Sequence, residues 1–143
     1  MNMKLNLVKF MGVSVVALAT SIASAEVVVV ANANSDIGQT DGESVQKLFL
    51  GKSNYIGGVE AVPVDQSEGN DARDQFYELV VKKTDAQLNA YWSRLIFTGK
   101  GAPPKQYFDD AEVVEVVLED EEAVGYIDSA LITEGLKVIY TPQ

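Results

Sequence analysis

The chain has 143 residues, a formal net charge of −10 at pH 7, and neither cysteine nor histidine. A surface this acidic is a poor partner for nucleic acid or for an anionic membrane, because both carry charge of the same sign. Without cysteine or histidine there is no thiol nucleophile, no Ser-His-Asp triad and no His- or Cys-based metal site. The composition therefore predicts one non-enzymatic domain with no cofactor and no metal.

The first 25 residues have the pattern of a secretory signal peptide. Two lysines precede an apolar run over residues 10–22, and an Ala-Ser-Ala cleavage site ends at residue 25. The apolar run is too short to span a bilayer comfortably. We therefore predict a signal peptide at 1–25 and a mature periplasmic domain at 26–143, with no membrane insertion after cleavage.

The mature chain opens with a continuous β-branched run, EVVVVAN at residues 26–32. Such a run, without polar alternation, is typical of a strand buried on both faces of an α/β sheet. Thr40 and Glu43 have the spacing of a capping box, which predicts a helix with Thr40 as its N-cap and its end at Gly51. A turn-rich connection then leads to a short predicted strand over residues 59–64.

Three more helices and two strands complete the predicted order. A capping box at 84–87 begins the clearest helix, whose apolar residues recur at i, i+3, i+4, i+7 and i+8: Leu88, Tyr91, Trp92, Leu95 and Ile96. Residues 109–118 favour a strand by valine content and a helix by their acidic start, and we prefer the helix. Strands at 125–127 and 136–140 follow. The order β-α-β-α-α-α-β-β predicts an α/β domain with a mostly parallel sheet flanked by helices.

The stretch PVDQSEGNDARDQFY, residues 63–77, has the arrangement of an anion-binding loop. A strand runs into a polar turn with one glycine, and a helix then begins with an arginine in its first turn. Helix N-termini attract anions through unpaired N–H groups and the helix dipole. The candidate anion-binding residues are Ser67, Gly69, Asn70, Asp71, Ala72 and Arg73. The alternative for the same residues is an ordinary helix start capped by Ser67 or Asn70.

Three other patterns favour ordinary structure over a binding site. The oxygen-bearing residues of the first loop have partial EF-hand spacing, but the first ligand position is asparagine and the glycine is misplaced: Asn32, Asn34, Asp36 and Glu43. The aromatic face of the third helix favours core packing over ligand stacking. The acidic segment at 109–122 favours a solvated helix face over a surface for a cation or a partner.

Three segments in one order resemble a known family: LFLGKSNYIGGVEAVPVDQSEGNDARDQFY (48–77), AYWSRLIFTGKGAPP (90–104) and EEAVGYID (121–128). They are similar to the second lobe of the phosphate-binding proteins of ABC transporters, which have the type 2 periplasmic-binding fold. The resemblance implies a single lobe of that fold. It also implies an exported protein that binds a small oxyanion such as phosphate, for uptake or for sensing.

The anion loop departs from the pattern of this family, which is roughly Arg-x-x-x-Gly-Ser-Gly-Thr-Arg. Gly69 and Arg73 match it, whereas Asp65 stands near the upstream arginine. Three positions carry other residues in place of serine, glycine and threonine: Asn70, Asp71 and Ala72. Hydroxyl donors are lost and carboxylates are gained, and both changes weaken the binding of an anion.

Proteins of this family close two lobes around the ligand, whereas this sequence provides one lobe. If phosphate binds, we expect a second chain or a homodimer to complete the cleft. The alternative function is a non-enzymatic protein-interaction or assembly module that keeps the fold and has lost ligand binding.

Overall fold

A computed structural model of the protein describes Gly12, residues 14–17 and residues 26–143. The predicted signal peptide at 1–25 lies, apart from Gly12 and residues 14–17, outside the described residues. Within the described part of the chain, no helix has both the length and the apolar character needed to cross a membrane.

The described domain consists of a five-stranded sheet, a two-stranded hairpin and four α-helices. The strands are β1 (Val27–Asn32), β2 (Tyr55–Ile56), β3 (Val59–Glu60), β4 (Val62–Gln66), β5 (Lys105–Tyr107), β6 (Ala123–Asp128) and β7 (Leu136–Tyr140). The helices are α1 (Gly42–Phe49), α2 (Asp71–Phe76), α3 (Asp85–Phe97) and α4 (Asp110–Glu119). A π-helical turn, Tyr77–Val81, directly continues α2, and a 3-10 turn, Ser129–Leu131, follows β6.

The large sheet has the strand order β5-β4-β6-β1-β7. Strand β4 pairs in parallel with β5 and β6, and β1 pairs antiparallel with β6 and β7. All strands of this sheet except β1 therefore point the same way, which confirms the predicted α/β domain with a mostly parallel sheet. Because β4, β5 and β6 end at the same edge, the loops that follow them meet there, which is where ligands bind in open α/β sheets.

Strand β1 explains why the chain opens with an uninterrupted apolar run. All of its residues are buried. Val27, Val29 and Ala31 pack into a core cluster on one face of the sheet, which also contains residues of α1, α2 and α3. Val28 and Val30 pack on the opposite face against Val113 and Val117 of α4. Both faces of the strand are covered, so neither face tolerates polar alternation.

The predicted N-cap of the first helix is wrong by one residue. Helix α1 is capped by Asp41, whose side chain accepts a hydrogen bond from the Ser44 amide at 2.8 Å. Aspartate is a stronger N-cap than threonine. The amide of Thr40 instead donates to the Ile139 carbonyl at 2.9 Å and joins this loop to β7. The capping box of the third helix, Thr84 with Gln87, is confirmed.

The predicted order lacks three short strands. The strand predicted at 59–64 is two strands, β3 and β4, and the turn-rich segment before it contains β2. Gly57 and Gly58 both have positive φ angles, 55° and 81°, as a two-residue hairpin turn between β2 and β3 requires. Strand β5 was missed because Lys105 and Gln106 are exposed polar residues at the edge of the sheet and carry no hydrophobic pattern.

The helix preferred for residues 109–118 is confirmed as α4, with Asp109 as its N-cap. In α3 the core packing expected of the aromatic face holds for Leu88 and Trp92, which are buried. It is wrong for Ile96, which is 56% exposed. The reason is that the core cluster reaches along α3 only as far as Leu95.

Helix α4 approaches the sheet closely over Gly125 of β6. A Cβ atom at Gly125 would lie 2.6 Å from Cγ1 of Val113. We expect Gly125→Ala to lower the free energy of unfolding by about 2 kcal/mol, because the added methyl group overpacks this contact. Urea unfolding followed by circular dichroism measures the change. The control is Gly38→Ala, where nothing lies within 4 Å of the added atom. Equal stability of the two variants would contradict the close approach of α4.

Candidate functional site

The predicted anion loop lies between the carboxyl end of β4 and the start of α2. Gly69 has φ +94°, which favours glycine at this turn. Asn70 occupies the N-cap position of α2 without a side-chain capping bond, and its Nδ2 donates to the Phe108 carbonyl at 2.8 Å. Ser67 Oγ donates to the Tyr107 carbonyl at 3.1 Å. These two side chains tie the loop to the end of β5. The alternative prediction of Ser67 or Asn70 as the N-cap is confirmed for Asn70 by position, although the side chain of Asn70 makes no capping bond.

The candidate residues do not converge on one cavity. Asn70, Asp71 and Ala72 line a cavity of about 230 Å³ at the start of α2, which we call the α2 cavity. Arg73 lines a different cavity of about 260 Å³ between α2, α3 and β5, which we call the α3 cavity. The first residues of α2 therefore face the α2 cavity, whereas Arg73 faces the α3 cavity.

The α2 cavity is acidic. Four carboxylates lie in its described lining: Glu26, Asp71, Asp110 and Asp128. No lysine or arginine is among the described residues of that lining. Asp110 is held in place by the Asp128 amide, which donates to its Oδ2 at 2.8 Å. The start of α2 thus faces negative charge at the edge of the sheet where an oxyanion is expected to bind.

The guanidinium of Arg73 is already paired inside the fold. Arg73 is 6% exposed and Asp65 is 2% exposed. Nη1 of Arg73 lies 3.2 Å and 3.3 Å from the two carboxylate oxygens of Asp65, and it also donates to the Gln66 carbonyl at 3.4 Å. The guanidinium carbon sits 4.3 Å from the centre of the Tyr77 ring, a cation–π arrangement. The charge of the loop arginine is therefore balanced by a carboxylate inside the fold.

Asp65 receives a complete set of donors, which we call the Asp65 cradle. Besides Nη1 of Arg73, the hydroxyl of Tyr77 donates to Oδ2 at 2.6 Å and the hydroxyl of Tyr126 donates to Oδ1. The amide of Gln66 donates to Oδ1 at 2.8 Å. One guanidinium, two hydroxyls and one backbone N–H around a buried carboxylate are the groups with which proteins hold oxyanions.

The donor side chains of the cradle keep their protons. Burial disfavours the charge of Arg73, but the surrounding groups, Asp65 first among them and then Tyr77 and Tyr126, together outweigh it and raise the pKa of the guanidinium above its ordinary value. Burial, and then the charge of Asp65, raise the pKa of the Tyr77 and Tyr126 hydroxyls well above that of a free tyrosine. Both hydroxyls therefore keep their protons and act as donors.

Local sequence and strand register bring the cradle together. Arg73 and Tyr77 are four residues apart, so both lie on the same side of α2 and its π-helical continuation. Strands β4 and β6 pair in parallel with Val64 opposite Gly125, which places Asp65 beside Tyr126. The ring of Tyr126 stacks on Phe76, with centroids 4.0 Å apart and planes 7° apart. The core thus holds the Tyr126 hydroxyl in position.

Sequence reasoning identified Arg73 and noted Asp65, but it did not identify Tyr77 and Tyr126 as donors. The four-residue spacing of Arg73 and Tyr77 is a signal that could have found Tyr77. Nothing local points to Tyr126, which is 61 residues from Asp65 along the chain. That contact depends on the parallel pairing of β4 and β6.

Two of the oxygen-bearing residues of the first loop, Asn32 and Glu43, make structural contacts. Nδ2 of Asn32 donates to the Val117 and Leu118 carbonyls at the end of α4, at 3.1 Å and 3.0 Å. Glu43 forms a surface ion pair with Lys47 at 2.7 Å. Among the described residues, no group of three or more acidic, His or Cys side chains is arranged to hold a metal ion.

Comparison with known proteins supports the fold through structure and not through sequence. No protein-family profile and no curated protein sequence matches the chain. One similar structure is a phosphate ABC transporter substrate-binding protein from Clostridium perfringens with bound phosphate, at 15% identity and a TM-score of 0.64, covering 80% of this chain and 44% of that one. Another is an ABC-type phosphate transport receptor from Vibrio cholerae, at 18% identity and a TM-score of 0.64, covering 83% and 49%.

A third similar structure is PstS from Borrelia burgdorferi, at 13% identity and a TM-score of 0.53, covering 73% of this chain and 41% of that one. The chain therefore spans less than half the length of each of these three structures. At these identities the comparisons confirm the fold expected from the resemblance, an α/β lobe like those of phosphate substrate-binding proteins.

Proposed function

We propose that this chain, which has the fold of a phosphate-binding-protein lobe, is an exported, non-enzymatic module that binds another protein and does not hold free phosphate. The observation that carries the proposal is the pairing of Arg73 with Asp65 inside the fold. An arginine whose charge is met by a buried carboxylate offers little attraction to a second anion. Export rests on the predicted signal peptide.

The α2 cavity supports the same proposal. A carboxylate about 5 Å from a phosphate dianion repels it by about 1.7 kcal/mol even at the dielectric constant of water. Four carboxylates line this cavity. Backbone N–H groups at the start of α2 face this charge without help from a described basic side chain.

The competing function is binding of phosphate or a similar small oxyanion, for uptake or sensing, with a second chain or a homodimer completing the cleft. One observation favours it besides the fold. The Nε and Nη2 edge of Arg73 has no hydrogen-bond partner among the described residues, and Arg73 lines the α3 cavity. Against it, Glu68 lies 4.0 Å from Nη2, so a second acid already faces that edge.

We expect calorimetric titration of residues 26–143 with phosphate at low salt and neutral pH to give no saturable heat up to millimolar concentration. The reason is that Arg73 is neutralised and the α2 cavity is negatively charged. Micromolar binding that disappears in Arg73→Ala, with the variant shown to be folded by circular dichroism, would overturn the proposal in favour of phosphate binding.

We propose that the partner binds at the carboxyl edge of the sheet, and a photo-crosslinking residue placed there tests this. Phe108 is 76% exposed and follows β5 at the carboxyl edge of the sheet, next to Asn70. Tyr55 is 55% exposed and precedes β4, so it lies at the opposite edge and is the matched control. We expect a defined crosslinked species from position 108 but not from position 55 in cells that export the protein.

Mass spectrometry of the crosslinked species then distinguishes a second copy of this chain from another protein. Equal crosslinking from both positions, or none, would count against an interface at this edge.

A further inference from the structure

The strongest unassigned feature of the molecule is the buried polar cluster around Asp65. Its four donors converge on one carboxylate, and three of them come from other elements: Arg73 of α2, Tyr77 of the π-helical turn and Tyr126 of β6. Ion pairing alone would need only Arg73 and Asp65. Two tyrosine hydroxyls and a backbone amide add neutral donors, and such a donor set recognises the oxygens of an anion.

We infer that the Asp65 cradle is an oxyanion-binding site whose ligand is built into the chain, and that a small free carboxylate takes this site when the Asp65 carboxylate is removed. The chemical class is a planar monovalent carboxylate of the size of formate or acetate. This inference goes beyond the proposed function, because it concerns variants that lack the Asp65 carboxylate. It holds whether or not a partner protein binds near Phe108.

The α3 cavity provides the route from solvent to the cradle. It is about 260 Å³ in volume and its lining includes Asp65, Arg73 and Tyr77. Glu68, whose side chain is 69% exposed, also lines it, so the cavity opens to water. A formate ion therefore has access to the donors without unfolding of the domain.

The Asp65 carboxylate also links the two elements on either side of the loop. Asp65 is the penultimate residue of β4, and Arg73 and Tyr77 lie on α2 and its π-helical continuation. The carboxylate thus joins the strand to the helix across the loop that Gly69 turns. Because Asp65 is part of the chain, this contact between strand and helix is permanent, whereas a free ligand would provide it only when bound.

The test is chemical rescue of stability. In Asp65→Ala the removed group has the size of formate, and in Asp65→Gly it has the size of acetate. We expect sodium formate to raise the thermal midpoint of Asp65→Ala by about 5 °C in a saturable manner, because a ligand that binds only the folded state stabilises it. Sodium chloride at equal ionic strength and neutral formamide serve as comparisons and should give no saturable effect. Acetate should act in the same way on Asp65→Gly.

Two further variants keep the test decisive. Asp65→Asn fills the site without charge, so formate should not stabilise it. Asp36→Ala removes an exposed acid and should behave like the original protein in every salt.

If the cavity variants, Asp65→Ala and Asp65→Gly, do not fold alone, the readout is refolding in the presence of formate or acetate, and recovery of the folded state supports the inference. Equal effects of formate on the original protein and on Asp65→Ala, or no rescue of either cavity variant, would overturn it. Phosphate titration of the original protein tests the proposed function separately.

Discussion

Asp65→Asn is expected to lower the free energy of unfolding by about 3 to 5 kcal/mol, the cost of leaving a buried charge without its partner. Arg73 is 6% exposed, and Asp65 supplies the only described carboxylate contact of its guanidinium within 3.5 Å. The hydroxyls of Tyr77 and Tyr126 also lose a charged acceptor. Chemical denaturation at neutral pH measures the loss.

The matched control and a double-mutant cycle separate this effect from a simple change of residue. Asp36→Asn removes an exposed charge and should change the free energy of unfolding by no more than about 0.5 kcal/mol. Combining Asp65→Asn with Arg73→Met should cost less than the sum of the single changes, because both charges are then gone. Additive losses would show that the two side chains do not interact as described.

Phe76→Ala is expected to lower the free energy of unfolding by about 4 kcal/mol. Phe76 is fully buried at the centre of an aromatic cluster, 4.7 Å from the ring of Phe49 and 4.0 Å from the ring of Tyr126. Its removal leaves a cavity and takes away the surface on which Tyr126 stacks, so the Asp65 cradle should weaken as well. The near-ultraviolet circular dichroism spectrum should change along with stability.

Phe97→Ala is the control for Phe76→Ala, because Phe97 is 92% exposed on the last turn of α3. The same atoms are deleted in both variants, and only the burial of the ring differs. We expect the exposed change to alter the free energy of unfolding by no more than about 0.5 kcal/mol. Similar losses in the two variants would contradict the position of Phe76 in the core.

Several features of the fold were predictable because they depend on short-range patterns. The run of valines in β1 predicts burial on both faces, and the Thr84 capping box predicts the start of α3. Segment order and the family resemblance led to the α/β lobe that the similar structures confirm. The hairpin β2–β3 and strand β5 were missed because they are short and partly exposed, and such strands have no hydrophobic period to detect.

The candidate site was predictable only in its outline. The position of the loop between a strand and a helix follows from local signals, and so does the arginine at the first turn of α2. The direction of the Arg73 side chain does not. A helix N-terminus followed by arginine is compatible with a solvent-facing donor or with a buried partner, and the choice depends on what the neighbouring strand presents.

The sequence by itself determined the chemical inventory of this protein: an acidic chain without histidine or cysteine, one buried-strand pattern, and one glycine turn before a helix with an arginine. The tertiary structure alone decided that Asp65, Arg73, Tyr77 and Tyr126 meet. Parallel pairing of β4 with β6 brings together residues far apart in the chain, and a register shift of one residue would turn Tyr126 to the other face of the sheet. Long-range register is not encoded in any local pattern. The folded chain was therefore needed to show that the Asp65 carboxylate is the anion that these donors bind.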